Sequence, residues 1–261
     1  MTTTFGDVSV VIDEATFVAT VEIRRPPNNF FDVALIRSLA EAYESLDADP
    51  AACRAIVLCS EGKHFCAGAD FSGRSGGGPG STGDLYAEAL RLFREGTPVV
   101  AAVQGAAVGG GLGLACSADF RVVSPASRLT ANFSRLGFHQ GFGLSATLPR
   151  IVGAQRAAEL LYTGRRIDGT TAAAIGLADR LVDEGEGAVR AAASELAVEI
   201  ASAAPLAVRS IRETMRAGLA DAVAAATARE DQEQDWLRRT ADWAEGVKAS
   251  AERREPKFEG R

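Results

Sequence analysis

Two short loops of small residues carry the groups in this sequence that are best suited to chemistry. One reads EGKHFCAGAD, from Glu61 to Asp70, and the other reads AVGGGLGLAC, from Ala107 to Cys116. The second contains four glycines, which lose much conformational freedom on folding, so we expect another segment or a ligand to approach its backbone closely. Backbone N–H groups at a helix start stabilise a developing negative oxygen, and the first loop is placed to supply a second donor.

Two other interpretations of the glycine cluster stay open. A dinucleotide-binding loop would follow the pattern GxGxxG or GxGxxA, but Cys116 stands at its last position. The acidic residue expected about twenty positions later is absent around Thr130, and no GK[ST] follows the glycines. Either loop alone would indicate only a tight turn in a packed core. The presence of both favours a site built from backbone donors.

The segments that flank the loops alternate between strand and helix patterns. Short β-branched runs predict an N-terminal hairpin and then buried strands, at 8–12, 17–23, 55–58, 99–103 and 120–123. Apolar residues at helical spacing predict amphipathic helices over 35–46 and 85–93. This alternation indicates an α/β core.

From about residue 187 onward the sequence predicts helices only, and Pro205 is suited to open one of them. We therefore expect an α/β core over 1–190 and a C-terminal helical region over 191–261 that serves self-association. The segment FSGRSGGGPGSTG, residues 71–83, has the composition of a low-complexity connector, and it is a candidate for a loop that closes over a ligand.

Composition excludes several classes of protein. A net charge of −6 argues against a general nucleic-acid binder, because a phosphate backbone requires a basic face. The four cysteines form no CxxC pair and have no histidine cluster beside them, so we expect no metal and a reducing, cytoplasmic setting. The uncharged run from Pro98 to Cys116 contains five glycines and fits a buried strand and helix better than a membrane span, and the N-terminus lacks a signal-peptide pattern.

Three longer motifs resemble the enoyl-CoA hydratase/isomerase (crotonase) superfamily. They are HFCAGAD at 64–70, PVVAAVQGAAVGGGLGLACSADFRV at 98–122 and LPRIVGAQRAAELLYTGRRIDGTTAAAIGLADRLV at 148–182. The resemblance runs from the N-terminal hairpin to the final FEGR. It implies a crotonase-like α/β spiral of ββα units, with a C-terminal helical region that builds homotrimers or hexamers. It also implies an acyl-CoA thioester as substrate, with no cofactor other than the coenzyme A of that substrate.

The same resemblance assigns the donors. Two backbone N–H groups in this superfamily hold the thioester oxygen, and residue by residue they match Ala69 and Gly110. The residues that flank these donors are then expected to contact the substrate: Ala67, Gly68, Asp70 and Gly109. A backbone oxyanion hole would thus be the source of any rate enhancement here.

The catalytic side chains are atypical. Gly113 and Phe133 stand where hydratases of the superfamily carry two glutamates, and Gly141 stands where hydrolase and dehalogenase members carry an aspartate. We expect these three residues to line a site that is roomier at Gly113 and more apolar at Phe133. Standard hydration should be impaired, because neither position offers a general acid or base. His139 is the best remaining proton carrier, and a histidine bonded within its loop or in a subunit contact is the alternative.

Other polar residues are less specific. Asp84 and Glu88 on the helix after the connector, and His64 before the first donor, are equally explained as solvated or structural groups. For the phosphates and adenine of coenzyme A, the resemblance points to these residues: Arg25, Arg253, Arg254, Lys257 and Phe258. An ordinary solvated basic surface is the alternative there.

Three classes of function follow. The first is an acyl-CoA-processing enzyme that stabilises an enolate in its oxyanion hole. The second is a non-catalytic relative that binds acyl-CoA. The third is a nucleotide-dependent oxidoreductase, which the broken glycine fingerprint disfavours.

Overall fold

Two β-sheets and a set of surrounding helices make up the structure, a computed structural model that describes residues 2–69, 82–185 and 187–261. The residues of the predicted connector from 70 to 81 lie outside this description. The strands are β1 (Thr2–Phe5), β2 (Val8–Asp13), β3 (Val18–Ile23), β4 (Ala55–Ser60), β5 (Val99–Ala102), β6 (Ala106–Val108), β7 (Phe120–Val123), β8 (Arg128–Thr130), β9 (Ile167–Asp168) and β10 (Arg180–Leu181). The helices are α1 (Val33–Asp47), α2 (Thr82–Arg91), α3 (Gly110–Ser117), α4 (Leu144–Val152), α5 (Ala154–Thr163), α6 (Gly169–Ala174), α7 (Ala188–Ala201), α8 (Pro205–Met215), α9 (Leu219–Leu237) and α10 (Ala241–Glu252), with a 3₁₀ turn at Ser134–Leu136.

The larger sheet has the strand order β1-β2-β3-β4-β5-β7-β10. Its first three strands are antiparallel, which confirms the predicted hairpin, and the rest are parallel. Every residue of β4 is buried, as its unbroken apolar sequence predicts for a central strand covered on both faces. The smaller sheet joins β6, β8 and β9. Its strands are short, and periodicity did not predict them.

Helix α7 completes the core rather than beginning a separate layer. Its buried residues Val189, Ala193 and Ala197 pack on the face of the sheet that Val57 and Val100 form. The predicted division at residue 190 falls inside this helix, because α7 is the cover of that face. The helices that follow it fold back over the other elements of the same chain, α9 against α4 and α2, and α10 against the 3₁₀ turn.

Among the described residues, no single helix combines the length and apolarity needed to cross a membrane, although the bent pair α7 and α8 passes that test when taken together. The uncharged run from Pro98 to Cys116 forms β5, β6 and most of α3. Its residues belong to the buried core, with Val100, Ala107 and Leu114 each fully shielded from solvent.

A cluster of charged groups joins the end of α1 to α8. One carboxylate oxygen of Asp47 accepts the N–H of Thr97 at 2.8 Å and its hydroxyl at 2.7 Å, and the Arg209 guanidinium pairs with both carboxylate oxygens at 2.6 and 2.9 Å. Glu95 lies beside this pair. Burial, together with the negative charge of Asp47, raises the pKa of Glu95 to about 7.

We expect this carboxyl to make folding stability fall as the pH rises toward neutrality. The folded protein holds the Glu95 proton above its ordinary pKa of 4.5, so the contribution is complete below that pH and is lost as pH rises through about 7. Glu95→Gln cannot ionise. The difference in unfolding free energy between Glu95→Gln and wild type, from urea titrations, should therefore grow between pH 5 and pH 8. A difference that stays constant over that range would contradict the assignment.

Candidate active site

The two loops that the sequence singles out lie side by side and pair like parallel strands. The Phe65 N–H donates to the Gln104 carbonyl at 2.9 Å, and the Cys66 N–H donates to the Ala106 carbonyl at 2.9 Å. The Val108 N–H donates back to the Cys66 carbonyl at 3.0 Å. These bonds join Cys66 to β6 of the smaller sheet and bring the segment before Ala69 against the segment before Gly110.

Two glycines make this approach possible. A Cβ added to Gly111 would lie 2.2 Å from the Cys66 carbonyl oxygen, and one added to Gly68 would lie 2.8 Å from the Val108 carbonyl oxygen. Gly68 also has a φ of +94°, which residues with a side chain rarely adopt. The bare backbone of the glycine cluster therefore serves first to let the two loops touch.

The contact leaves two backbone donors open. Helix α3 begins at Gly110, so this N–H belongs to the first turn, where no intrahelical acceptor exists. Ala69 lies at the end of the first loop, in a β-bridge with Phe31. Within the described parts of the chain, neither the Ala69 nor the Gly110 N–H has a hydrogen-bond acceptor. The structure thus places both predicted donors on adjoining segments, with the positive end of the α3 dipole at Gly110.

Phe31 contacts both donor segments, and sequence reasoning missed it. Its N–H donates to the Gly68 carbonyl at 3.0 Å, which fixes the backbone next to Ala69. Its ring packs on Gly110, where an added Cβ would lie 2.3 Å from the Phe31 Cζ. One residue therefore sets the position of both loops, and Gly110 must lack a side chain to admit it.

The expectation of open space at Gly113 is wrong. Gly113 is fully enclosed within α3, and an added Cβ would lie 2.6 Å from the Phe142 Cβ. Phe142 is 1% exposed, and its ring meets that of Phe31 edge-on at a centroid distance of 5.6 Å. The volume beside Gly113 is thus already occupied by an aromatic side chain.

The surroundings of Gly141 are also filled, by a polar group from another element. An added Cβ there would lie 2.1 Å from the Tyr86 Oη and 2.7 Å from the Gln234 Nε2. The phenol of Tyr86 on α2 is buried, and that burial raises its pKa. A hydroxyl group from α2 and an amide from α9 therefore stand where a side chain at position 141 would project.

Aromatic packing continues on the other side of the donors. Phe133 is buried, and its Cζ lies 3.7 Å from the position that a Cβ on Gly109 would take. Its ring lies 5.4 Å from that of Phe138, which in turn lies 4.5 Å from the Trp243 ring on α10. As the sequence predicts, an apolar ring rather than a carboxylate stands beside the second donor segment.

Residues 13–261 match the family model described as enoyl-CoA hydratase/isomerase. The chain belongs to this family. It is 35% identical over 257 residues to a Thermus thermophilus protein named "Putative enoyl-CoA hydratase", covering 94% of this chain and 98% of that one. It is 30% identical over 260 residues to a Bacillus subtilis protein named "Probable enoyl-CoA hydratase", covering 97% and 98%. A crystal structure of an enoyl-CoA hydratase/isomerase from Pseudoalteromonas atlantica superposes with a TM-score of 0.85 at 27% identity, covering 97% and 100%, and confirms the predicted crotonase-like fold.

In this member of the hydratase/isomerase family, His139 lies in the loop that leads to Phe142. Its Nδ1 lies 2.9 Å from the Gln140 carbonyl oxygen, so Nδ1 carries the proton of the neutral ring. Its own carbonyl accepts from the Gln234 amide at 2.9 Å. The Nε2 atom makes no hydrogen bond to the residues that the structure describes, which leaves it available as a proton acceptor.

The less specific polar candidates have structural partners or lie elsewhere. The His64 Nδ1 accepts the Ala106 N–H at 3.2 Å, and burial lowers the pKa of this imidazole, so His64 helps to join the two loops. Glu88 pairs with Arg37 at 2.8 Å and with Arg91. Asp84 lies in the first turn of α2, and Asp70 falls outside the described residues.

The residues expected near coenzyme A lie in two places. Arg25, before α1, already pairs with Asp7 at 2.6 Å and with Asp32 at 2.9 Å. Lys257 and Phe258 belong to the C-terminal tail, which is tied to α10 by the Lys257 N–H at 2.7 Å from a Glu245 carboxylate oxygen. Nearby, Arg254 pairs with Glu245 as well. The Lys257 ammonium makes no ion pair within the described residues.

The contact between Gly113 and Phe142 generates a prediction. Gly113→Ala should destabilise the protein strongly, because its new Cβ would meet the Phe142 Cβ. In a Phe142→Gly background, whose φ of +60° suits glycine, the same change should cost at least about 1 kcal/mol less. Urea unfolding of both single variants and of the double variant measures this coupling. Additive effects would show that the two residues do not contact each other.

Proposed function

We propose that this protein is an acyl-CoA-processing enzyme in which the Ala69 and Gly110 N–H groups hold the thioester oxygen and stabilise an enolate. The observation that carries this proposal is the pairing of the two loops, which leaves these two N–H groups on adjoining segments without acceptors among the described residues. Removing one donor of such a pair typically lowers the rate by about 10²–10³. The amino end of α3 adds a partial positive charge of about half a unit at Gly110.

The surroundings of the donors favour enolate formation over standard hydration. Phe142 and Phe133 occupy the places from which two carboxylates would act on water. A site enclosed by aromatic rings excludes solvent, which strengthens the attraction between fixed N–H dipoles and a negative oxygen. These groups can support two reactions. One is isomerisation of an enoyl-CoA, and the other is a slow hydration with water held by His139 Nε2.

For the rest of the substrate, we infer that the phosphates and adenine of coenzyme A lie near Arg25 and the tail residues Lys257 and Phe258. Lys257 is the stronger phosphate ligand of the two basic residues, since the Arg25 charge is already compensated by Asp7 and Asp32. No cofactor besides the substrate's own coenzyme A is needed for enolate chemistry. Assembly into a homotrimer or hexamer belongs to the same proposal.

A specific observation also favours a second candidate, a relative that binds acyl-CoA without turnover. Both general acid–base positions lack a titratable group, and each such group is typically worth about 10²–10⁴ in rate. An oxyanion hole can bind a thioester whether or not a proton carrier stands beside it. The two candidates differ in whether a proton leaves the α-carbon of the acyl group.

Solvent exchange separates these candidates. Purified protein is incubated with crotonyl-CoA and with saturated butyryl-CoA in D₂O, and the thioesters are analysed by mass spectrometry. An enzyme of the proposed kind should incorporate deuterium at the α-carbon of butyryl-CoA, because an enolate must pick up its proton from the site. Hydration would appear instead as an added water on crotonyl-CoA. A reaction without protein sets the background rate.

His139→Ala tests the proton carrier in the same assay. We expect exchange to fall by about 10²-fold or more, while the dissociation constant for butyryl-CoA changes little, because the Nε2 atom acts on the proton rather than on the thioester. Unchanged exchange would remove His139 from the mechanism. Tight binding by the wild type with neither exchange nor product would establish the binding-only candidate.

A further inference from the structure

A buried carboxylate outside the predicted site holds the loop that carries Phe142. Glu230 on α9 is fully shielded from solvent, and its two oxygens accept the Gly143 N–H at 2.8 Å and the Ser145 N–H at 2.9 Å. These N–H groups flank the start of α4, where helix donors lack intrahelical acceptors. Glu230 therefore caps α4 from a different helix.

Phe142 needs such a restraint. Its φ of +60° is unfavourable for a residue with a side chain, by about 1–2 kcal/mol. The Gly143 that follows is also left-handed, with a φ of +72°. A turn of this kind persists only where its neighbours fix it, and the two hydrogen bonds to Glu230 lie immediately after it.

The restrained ring is linked to the second donor through Phe31. Phe142 packs on Gly113 and meets Phe31, and the Phe31 ring in turn covers Gly110. One aromatic contact thus separates Phe142 from the second donor. A thioester oxygen held at Gly110 would therefore lie one aromatic residue away from Phe142.

We propose that Phe142 determines which acyl groups the site accepts, and that Glu230 is the positioning residue that holds Phe142 in place. The inference rests on the proposed binding of acyl-CoA and deepens it. The ring of Phe142 limits the space at the acyl end, so bulky acyl groups are discriminated against. Loss of the Glu230 carboxylate frees the turn, and the ring then no longer closes that space.

The test is the dependence of affinity on the acyl group. Dissociation constants for coenzyme A, acetyl-CoA, hexanoyl-CoA and phenylacetyl-CoA are measured by calorimetry on the full chain. The variants are Phe142→Leu, Phe142→Ala and Glu230→Gln. Each methylene that gains a buried place is worth about fourfold in affinity. Phe142→Ala should therefore raise the preference for phenylacetyl-CoA over acetyl-CoA by at least about tenfold, and Glu230→Gln should move it in the same direction.

Two matched variants control for general damage. Phe17→Ala removes an aromatic residue with a similar φ of +59°, which lies in the turn before β3. The Arg54 guanidinium stacks on the Phe17 ring. This contact lies at the start of β4, whereas the two loops lie beyond its other end. Glu233→Gln changes a carboxylate of the same helix that pairs with Arg229 at 2.7 Å. Both should keep the wild-type order of affinities. If Glu230→Gln does not fold, Glu230→Asp replaces it, and Phe142→Leu replaces Phe142→Ala in the same way.

Each outcome decides the question. A change in acyl preference in the Phe142 and Glu230 variants, with none in the controls, supports the proposal. A uniform loss of affinity for every thioester, or an unchanged preference, overturns the role of Phe142. If the acyl preference changes in the Phe142 variants but not in the Glu230 variants, only the positioning role of Glu230 is overturned. If wild-type protein binds acyl-CoA no better than coenzyme A, the proposed function fails first, and this inference fails with it.

Discussion

The pairing of the Cys66 segment with 106–108 is the contact on which the rest of the site depends. It is a parallel bridge between Cys66 and Ala107 of β6, and it carries the first loop alongside the second. The carbonyl of Cys66 lies so close to Gly111 that no other residue fits there. Because the N–H groups of Ala69 and Gly110 follow directly from these paired segments, their relative position is fixed by backbone geometry rather than by side-chain rotamers.

Around this backbone frame, aromatic rings have taken the space that acid–base chemistry would need. Phe31 packs against both donor segments, Phe142 fills the volume beside Gly113, and Phe133 lies next to Gly109. Such packing makes this region rigid and excludes water from it, but aromatic rings cannot carry a proton. The polar groups that remain are His139 in the loop that leads to Phe142, and Tyr86 and Gln234, which contact that loop. Under the proposed function, electrostatic stabilisation by the backbone would therefore be the main source of catalysis.

Much of this arrangement was predictable from the sequence, and the missed parts have two causes. Hydrophobic periodicity predicted β2, β3, β4, β5, β7 and α1. The glycine cluster indicated a helix start, and the resemblance to the superfamily assigned the donor there to Gly110, where α3 begins. The short strands β6 and β8 were missed because three residues carry no period. The role of Phe31 and the filling of the space at Gly113 were missed because both depend on which distant side chains meet. A glycine in a sequence shows that space is needed at that position, but not which neighbour uses it.

The interlock between Gly113 and Phe142 also bears on how this branch of the family can change. A carboxylate side chain at position 113 is sterically incompatible with the Cβ of residue 142, so one substitution cannot place a glutamate there without disturbing the fold. The intermediate that lacks Phe142 would lose a buried ring that supports Phe31, and with it part of the support for Gly110. Each order of the two substitutions thus passes through a protein that is less stable than the present one. Selection acting on single mutations would therefore retain the glycine at position 113 and the aromatic residue at position 142 together.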